Sequence, residues 1–206
     1  MKIVEPSVEL LYITPQPAQL LESAGRTCYK SEDKITDNSA AKFVKMICKN
    51  KHESVLEHAV ASFRIVTDRG VSHEIVRHRL FSYSQESTRY VNYGKDKHGG
   101  EITVIMASSL ASLKGSGVYD ELEFWKDACV QAELNYLDML EYGAAPQTAR
   151  ALLPTCLKTE LVMTGNFRNW RHFIAMRSSK TAHPDVQLIA NLLQDVLIKE
   201  CPEVFA

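Results

Sequence analysis

Residues 77–90 read RHRLFSYSQESTRY. They hold the arginines Arg77, Arg79 and Arg89, one histidine, three serines, a threonine and two tyrosines. Against these stand one carboxylate, Glu86, and two purely apolar residues, Leu80 and Phe81. The stretch is too polar for a core and too rich in hydroxyls and rings for a plain surface turn. Arginine presents a planar fork of donors that stays charged, which suits bidentate contact with phosphate or carboxylate. Any single arginine is adequately explained by a solvated face or by one of the chain's 25 acidic residues. The whole set is harder to explain that way, because guanidiniums held close together repel unless anions lie between them.

Further along, GNFRNWRHFIAMR, 165–177, gathers Arg168, Arg171, His172 and Arg177. Arg168 and His172 are four apart and share one face of a helix, while Phe167, Trp170 and Ile174 form an apolar stripe that reads as core. Arg150 lies between the two clusters in QTARALLP, 147–154.

The surrounding chain is ordinary. Its 206 residues, 45% of them hydrophobic, suit one compact domain over 1–206. The formal net charge of -1 and pI near 6.7 exclude the basic excess of a general nucleic-acid binder. The start of the chain lacks a signal-peptide core, and no apolar run is long enough for a transmembrane helix. Five cysteines, with no CxxC pair, fit a reduced cytoplasmic protein with mostly buried thiols.

Periodicity predicts strands at VELLYIT (8–14), HAVASFRIVT (58–67), EITVIMA (101–107) and CLKTELVMTG (156–165). Helices are expected at 17–30, at 38–50 and over 117–142, where Leu122, Trp125, Cys129, Ala132, Tyr136 and Met139 mark a buried face. Two more are expected from Asn166 and from Pro184. RGVSHEIVRHRL, 69–80, reads as a turn at Gly70 followed by a short helix delivering Arg77 and Arg79. The fold class is α+β, with a central, mainly antiparallel sheet flanked by helices and no clear linker.

Several chemistries lack their pattern. In HESVLEH, His52 and His58 are six apart, about 240° around an α-helix, and so share no ligand face. His73 and His78, five apart, are no better placed, and no metal is expected. No GxGxxG, P-loop or GxSxG motif occurs.

RHR followed by Ser87 after seven intervening residues resembles the signature of flavin-dependent thymidylate synthases. HESVLEH resembles the family's HxSxxEH element, and TARALLP and NFRNWRHFIAMR resemble its later elements, in the same order. The resemblance spans nearly the whole chain. It implies an enzyme that makes dTMP from dUMP, with 5,10-methylenetetrahydrofolate as one-carbon donor and FAD, reduced by NADPH, as hydride source. It also implies a homotetramer whose sites are shared between subunits.

Carried over to this chain, the resemblance gives Arg77, His78 and Arg79 to FAD, with Arg77 also near the nucleotide. Ser54 and Glu57 lie on the flavin side, and His52 beside the ring where folate docks. Asn166, Arg168 and His172 hold FAD. Gln85, Glu86, Ser87 and Arg89 hold dUMP, Arg150 reaches its phosphate, and Glu74 is near it. Arg177 contacts the uracil and favours its electron-rich form. Arg177, Ser87 and His52 are the candidate catalytic positions. Ser87 is the one hydroxyl that suggests a nucleophile and is assigned to binding, because no base is evident beside it in the sequence. The segment RSSKTAHPDV, 177–186, is longer than the family pattern. His183 is the candidate for its flavin-side histidine, whereas a gapless count reaches Thr181.

Two other readings remain. A nucleic-acid-binding module would use both arginine clusters but lacks the basic balance. A flavin or NADPH oxidoreductase without methyl transfer is opposed only by the set Gln85, Ser87, Arg89, Arg150 and Arg177.

Overall fold

Strict alternation builds the two longest strands. In Lys158–Asn166 the residues Thr159, Leu161, Met163 and Gly165 are buried, and in Val60–Asp68 the residues Ala61, Phe63, Ile65 and Thr67 are buried. A strand sends alternate side chains to opposite faces, so each pattern marks one face against a core. The computed structural model of the chain describes residues 1–111 and 120–206.

The elements, in chain order, are β1 (Lys2–Val4), β2 (Ser7–Ile13), α1 (Pro17–Thr27), α2 (Ser39–Lys49), β3 (Val60–Asp68) and α3 (Arg69–Ile75). They continue with β4 (Ser82–Gln85), β5 (Thr103–Ile105), α4 (Ser108–Ala111), α5 (Glu121–Glu141) and α6 (Pro146–Ala149). The last are β6 (Lys158–Asn166), α7 (Phe167–Arg177), α8 (Pro184–Glu200) and α9 (Pro202–Phe205). An antiparallel four-stranded sheet runs in the order β2-β3-β6-β4. The α+β class with helices flanking an antiparallel sheet is as expected.

Two compact units divide the chain. The first comprises Met1–Ser7, Val66–Ile75 and Ser84–Leu161; the second comprises Val8–Ile65, Val76–Tyr83 and Val162–Ala206. In the first, β1 pairs parallel with β5, Ile3 opposite Val104. Its core joins Tyr93, Ile102, Val104, Cys129, Tyr136, Ala149 and Leu157. In the second, Trp170 is fully buried, edge-on to Phe63 at 5.1 Å and to Phe81 at 4.7 Å, and its indole N–H donates to the Ala61 carbonyl at 3.1 Å. Such a ring contributes both apolar area and a satisfied polar handle, and its truncation typically costs ~3–5 kcal/mol.

Some expectations need correction. The helix expected over 117–142 is present as Glu121–Glu141, started by Asp120 accepting from the Leu122 N–H. Residues 117–119 lie outside the described residues. The turn expected at Gly70 is instead the first turn of α3, because Asp68 Oδ1 accepts the Val71 N–H at 2.7 Å and the helix starts at Arg69. That helix ends at Ile75, so it does not carry Arg77 and Arg79, which lie in the turns before β4. HESVLEH is a 3-10 helix, Glu53–His58, so the α-helical angle between His52 and His58 does not apply. Among the described residues no group of three or more His, Cys, Asp or Glu is placed to hold a metal ion. Among them, no helix is long and apolar enough to cross a membrane.

Candidate active site

The second unit holds two cavities that share Leu80, Asn169 and His172 as wall residues. The larger, about 980 Å³, is lined by Glu53, Glu57, Asn166, Arg168, Arg171, Ser178 and Gln194. Ile174, Val204 and Phe205 give it an apolar side. The smaller, about 250 Å³, is lined by Arg77, His78, Arg79, Phe81, Met176 and Arg177.

Helix α7 contributes to both. Asn166 caps it, its Oδ1 accepting the Asn169 N–H at 2.9 Å. Phe167, Trp170 and Ile174 turn into the core as expected, and Arg168 and His172 both reach the larger cavity. Asn169 Nδ2 donates to the Leu80 carbonyl at 3.0 Å and so fastens the Arg77–Phe81 turn to the helix. Under that turn, the Phe81 ring lies against Gly165, where an added Cβ would stand 2.4 Å from two ring carbons.

The charges are partly paired. Arg168 Nη1 bonds Glu57 Oε1, and its Nε is 3.8 Å from Glu53 Oε2. Arg171 Nη1 reaches Glu53 Oε1 at 3.3 Å. Pairing with the chain's own carboxylates therefore holds for these two arginines. In the smaller cavity, Arg177 Nε donates to His78 Nε2 at 2.9 Å. His78 lies edge-on to Phe173 at 4.7 Å and to His172 at 6.2 Å. Burial, then the Arg177 charge, then His172 push its pKa down to about 4. The imidazole is thus neutral at pH 7 and is an acceptor at Nε2. Tyr83 donates to the His78 carbonyl at 2.9 Å, and burial raises its phenol to about 12.

His52, Ser54 and His183 line neither cavity. His52 and Ser54 are exposed, at and beside the start of the 3-10 helix. His183 is the N-cap of α8, its Nδ1 accepting from the Asp185 N–H at 3.3 Å. Thr181 shares a hydrogen bond with Ser179, 3.0 Å between their hydroxyls.

The first unit holds a different cluster. Gln85 Nε2 donates to Ser72 Oγ at 2.9 Å and to Thr159 Oγ1 at 3.1 Å. Glu86 accepts from Tyr93 OH at 2.7 Å and from Lys158 Nζ at 3.3 Å, and Lys158 also pairs with Glu160. Burial pulls the Lys158 pKa down, but the Glu160 hydrogen bond and the charges of Glu86 and Glu160 outweigh it and hold the ammonium above its ordinary range. Arg69 Nη1 approaches the Glu86 carbonyl at 3.4 Å. Ser87 Oγ accepts the Arg89 N–H at 3.3 Å, and the Arg89 guanidinium lies 5.3 Å from the Tyr90 ring centre. Arg150 Nη1 donates to Thr88 Oγ1 at 3.3 Å, and Glu74 sits half-buried on α3.

The stretch 77–90 therefore divides. Arg77–Tyr83 belongs to the second unit, whose smaller cavity its first five residues line, and Ser84–Tyr90 belongs to the first. Sequence reasoning missed Asn169, Glu53 and Gln194 at the larger cavity. Asn169 was readable, being three residues after the cap Asn166 and one turn before His172 and Phe173. Gln194 had no such signal, being one polar residue in a mostly apolar helix. Lys158 and Tyr93, which hold Glu86, come from distant positions that no local pattern connects.

The sequence model of the family described as "Thymidylate synthase complementing protein" matches residues 9–203. A protein of Mycolicibacterium vanbaalenii named "Flavin-dependent thymidylate synthase" is 38% identical over 202 residues, covering 92% of this chain and 78% of its own length. Proteins of the same name from Corynebacterium efficiens (37% identical, 90% of this chain, 77% of theirs) and Mycobacterium avium (38%, 91% and 78%) are similar over the same extent.

Proposed function

The chain belongs to the flavin-dependent thymidylate synthase family, and from that premise we propose that it makes dTMP by reductive methylation of dUMP. The one-carbon donor is 5,10-methylenetetrahydrofolate, which leaves as tetrahydrofolate, and FAD reduced by NADPH is the hydride source. The family match runs across both units, which supports treating 1–206 as one functional domain. The reading includes a homotetramer with sites shared between subunits, working in the cytoplasm.

The observation that carries the flavin assignment is the pair of cavities walled jointly by His172, Asn169 and Leu80. The larger is at the upper end of the ~300–1,000 Å³ usual for ligand sites, as a dinucleotide requires. Its donor set of Asn166, Arg168, Asn169, Arg171 and His172 suits a pyrophosphate and ribose, and its apolar side suits a ring system. The residues present therefore fit FAD. When bound and reduced, the flavin supplies the hydride.

The chain's own residues do the remaining work. Arg168 and Arg171 exchange Glu57 and Glu53 for ligand phosphate, keeping each fork charged and satisfied. Arg177 holds a fixed positive charge toward the uracil and favours its electron-rich form. His78, neutral and accepting at Nε2, orients that guanidinium through Nε. Gln85, Glu86, Ser87, Arg89 and Arg150 bind dUMP with Glu74 nearby. The family resemblance gives His52 and Ser54 to the folate and flavin sides and His183 to the flavin site, although none of the three lines either cavity.

Purified protein tests this directly. It is expected to show flavin absorbance, and to release the C5 hydrogen of dUMP when given methylenetetrahydrofolate and NADPH. Flavin binding with no dTMP formed favours an oxidoreductase without methyl transfer. No flavin binding overturns both enzyme readings.

A further inference from the structure

The first unit contains a pair of cysteines that the reaction does not use. Cys129 is buried in the middle of α5, and Cys156, half-buried, lies two residues before β6. They are 27 positions apart in sequence, yet their sulfurs stand 3.5 Å apart. Both are free thiols. Either sulfur can donate across this contact; the shared bond and the Trp125 indole N–H hold Cys156 below its ordinary range despite burial. The same bond and burial push Cys129 above its range. Cys156 is therefore the more accessible and the more readily ionised of the two sulfurs, with the buried Cys129 beside it.

We propose that Cys129 and Cys156 form a redox-modification site for hydrogen peroxide, with Cys156 as the attacking sulfur and Cys129 as the resolving thiol. The Cys156 thiolate attacks one peroxide oxygen; the S–O bond forms, the O–O bond breaks, and hydroxide leaves. The Cys129 sulfur then attacks the sulfur of the sulfenic acid. The S–S bond forms, the S–O bond breaks, and the departing hydroxide takes the Cys129 proton as water. Two thiols lose two electrons in total, and the peroxide is reduced to water and hydroxide.

The surroundings make this closure inexpensive. The sulfurs must approach by only ~1.5 Å to reach a bonded separation. The segment around Cys156 is already pinned. The carbonyls of Thr155 and Leu157 both accept the Arg69 N–H at 3.1 Å, and the Cys156 carbonyl accepts the Ile105 N–H at 2.9 Å. The bond would fasten α5 to the chain entering β6, whose next residues, Lys158 and Thr159, hold Glu86 and Gln85.

The test uses the full reduced chain. It is exposed to hydrogen peroxide, denatured with a thiol-blocking reagent and digested without reductant, and the peptides are read by mass spectrometry. A cross-link between the Cys129 and Cys156 peptides is expected, in excess over any other pairing and reversed by dithiothreitol. In Cys129→Ser the cross-link disappears, and dimedone captures Cys156 sulfenic acid about fivefold or more above wild type. The wild-type arm decides the matter even if that variant fails to fold. Oxidation of the exposed Cys28 while Cys129 and Cys156 stay alkylatable overturns the proposal, as does a cross-link no more abundant than random pairings.

Discussion

Arg177 Nε donates to His78 Nε2 across 2.9 Å, so this histidine works as an uncharged acceptor beside a permanent cation. Its pKa is about 4 in the fold and 6.5 in the unfolded chain, and burial is the largest cause. Between those values the unfolded chain binds the proton and the folded chain does not. Stability therefore falls as pH drops from about 6.5 to about 4 and levels off below that. Urea midpoints near pH 7 and near pH 4.5 are expected to differ less in His78→Gln, which keeps an acceptor but cannot protonate. An equal drop in both proteins would show that other groups govern the acid limb.

Arg177→Ala removes the charge proposed to polarise the uracil. Turnover of dUMP is expected to fall about a hundredfold or more, the usual cost of one electrostatic stabiliser. Flavin binding is expected to change far less. Near-normal turnover would rule out the role.

Arg168→Ala tests the larger cavity. Its ion pairs are half exposed, with Arg168 at 50% and Glu57 at 45%, so they contribute little to folding, ~0–1 kcal/mol. A charge-assisted bond to ligand phosphate is stronger, ~1.5–3 kcal/mol, so FAD affinity should weaken about tenfold to a hundredfold. Flavin fluorescence titration beside a thermal melt separates the two effects. A large melting shift with unchanged affinity would assign Arg168 to structure alone.

Glu86→Ala leaves Lys158 and the Tyr93 hydroxyl without their shared acceptor. Burial and this hydrogen bond hold the Tyr93 phenol far above its ordinary range, so it remains a donor that needs a partner. A loss of ~1–3 kcal/mol in unfolding free energy is expected. Glu86→Gln, which keeps an acceptor for Tyr93, should lose less. Equal losses would place the effect in charge rather than in the orphaned donor.

What could be read from the sequence depended on how regular each signal was. The alternation in Val60–Asp68 and Lys158–Asn166 and the apolar stripe of Phe167, Trp170 and Ile174 reflect burial against a core, and both periodicities were visible. Ser82–Gln85 was not recognised as a strand, because β4 lies at the sheet edge and carries polar residues with no hydrophobic period. Three-residue β1 is too short for any period, and its partner lies about a hundred positions away. At the candidate site, Arg168, His172 and Arg77–Arg79 stood out by type and spacing. The ion pairs of Arg168 and Arg171 with Glu57 and Glu53 join positions more than a hundred apart, which only folding brings together. Asp68 capping α3 is a competition between a side chain and the chain's own N–H groups, settled by geometry rather than by type.

The seat of Phe81 on Gly165 gives position 165 a role that no side chain could fill. One methyl there would lift the ring, and with it the turn that presents Arg77, His78 and Arg79. For anyone redesigning this protein, the aromatic cluster can be repacked only from the Phe81, Trp170 and Phe173 side. The strand beneath has to stay bare at that one rung, so a substitution that looks conservative in a β-strand would act as a ligand-site mutation.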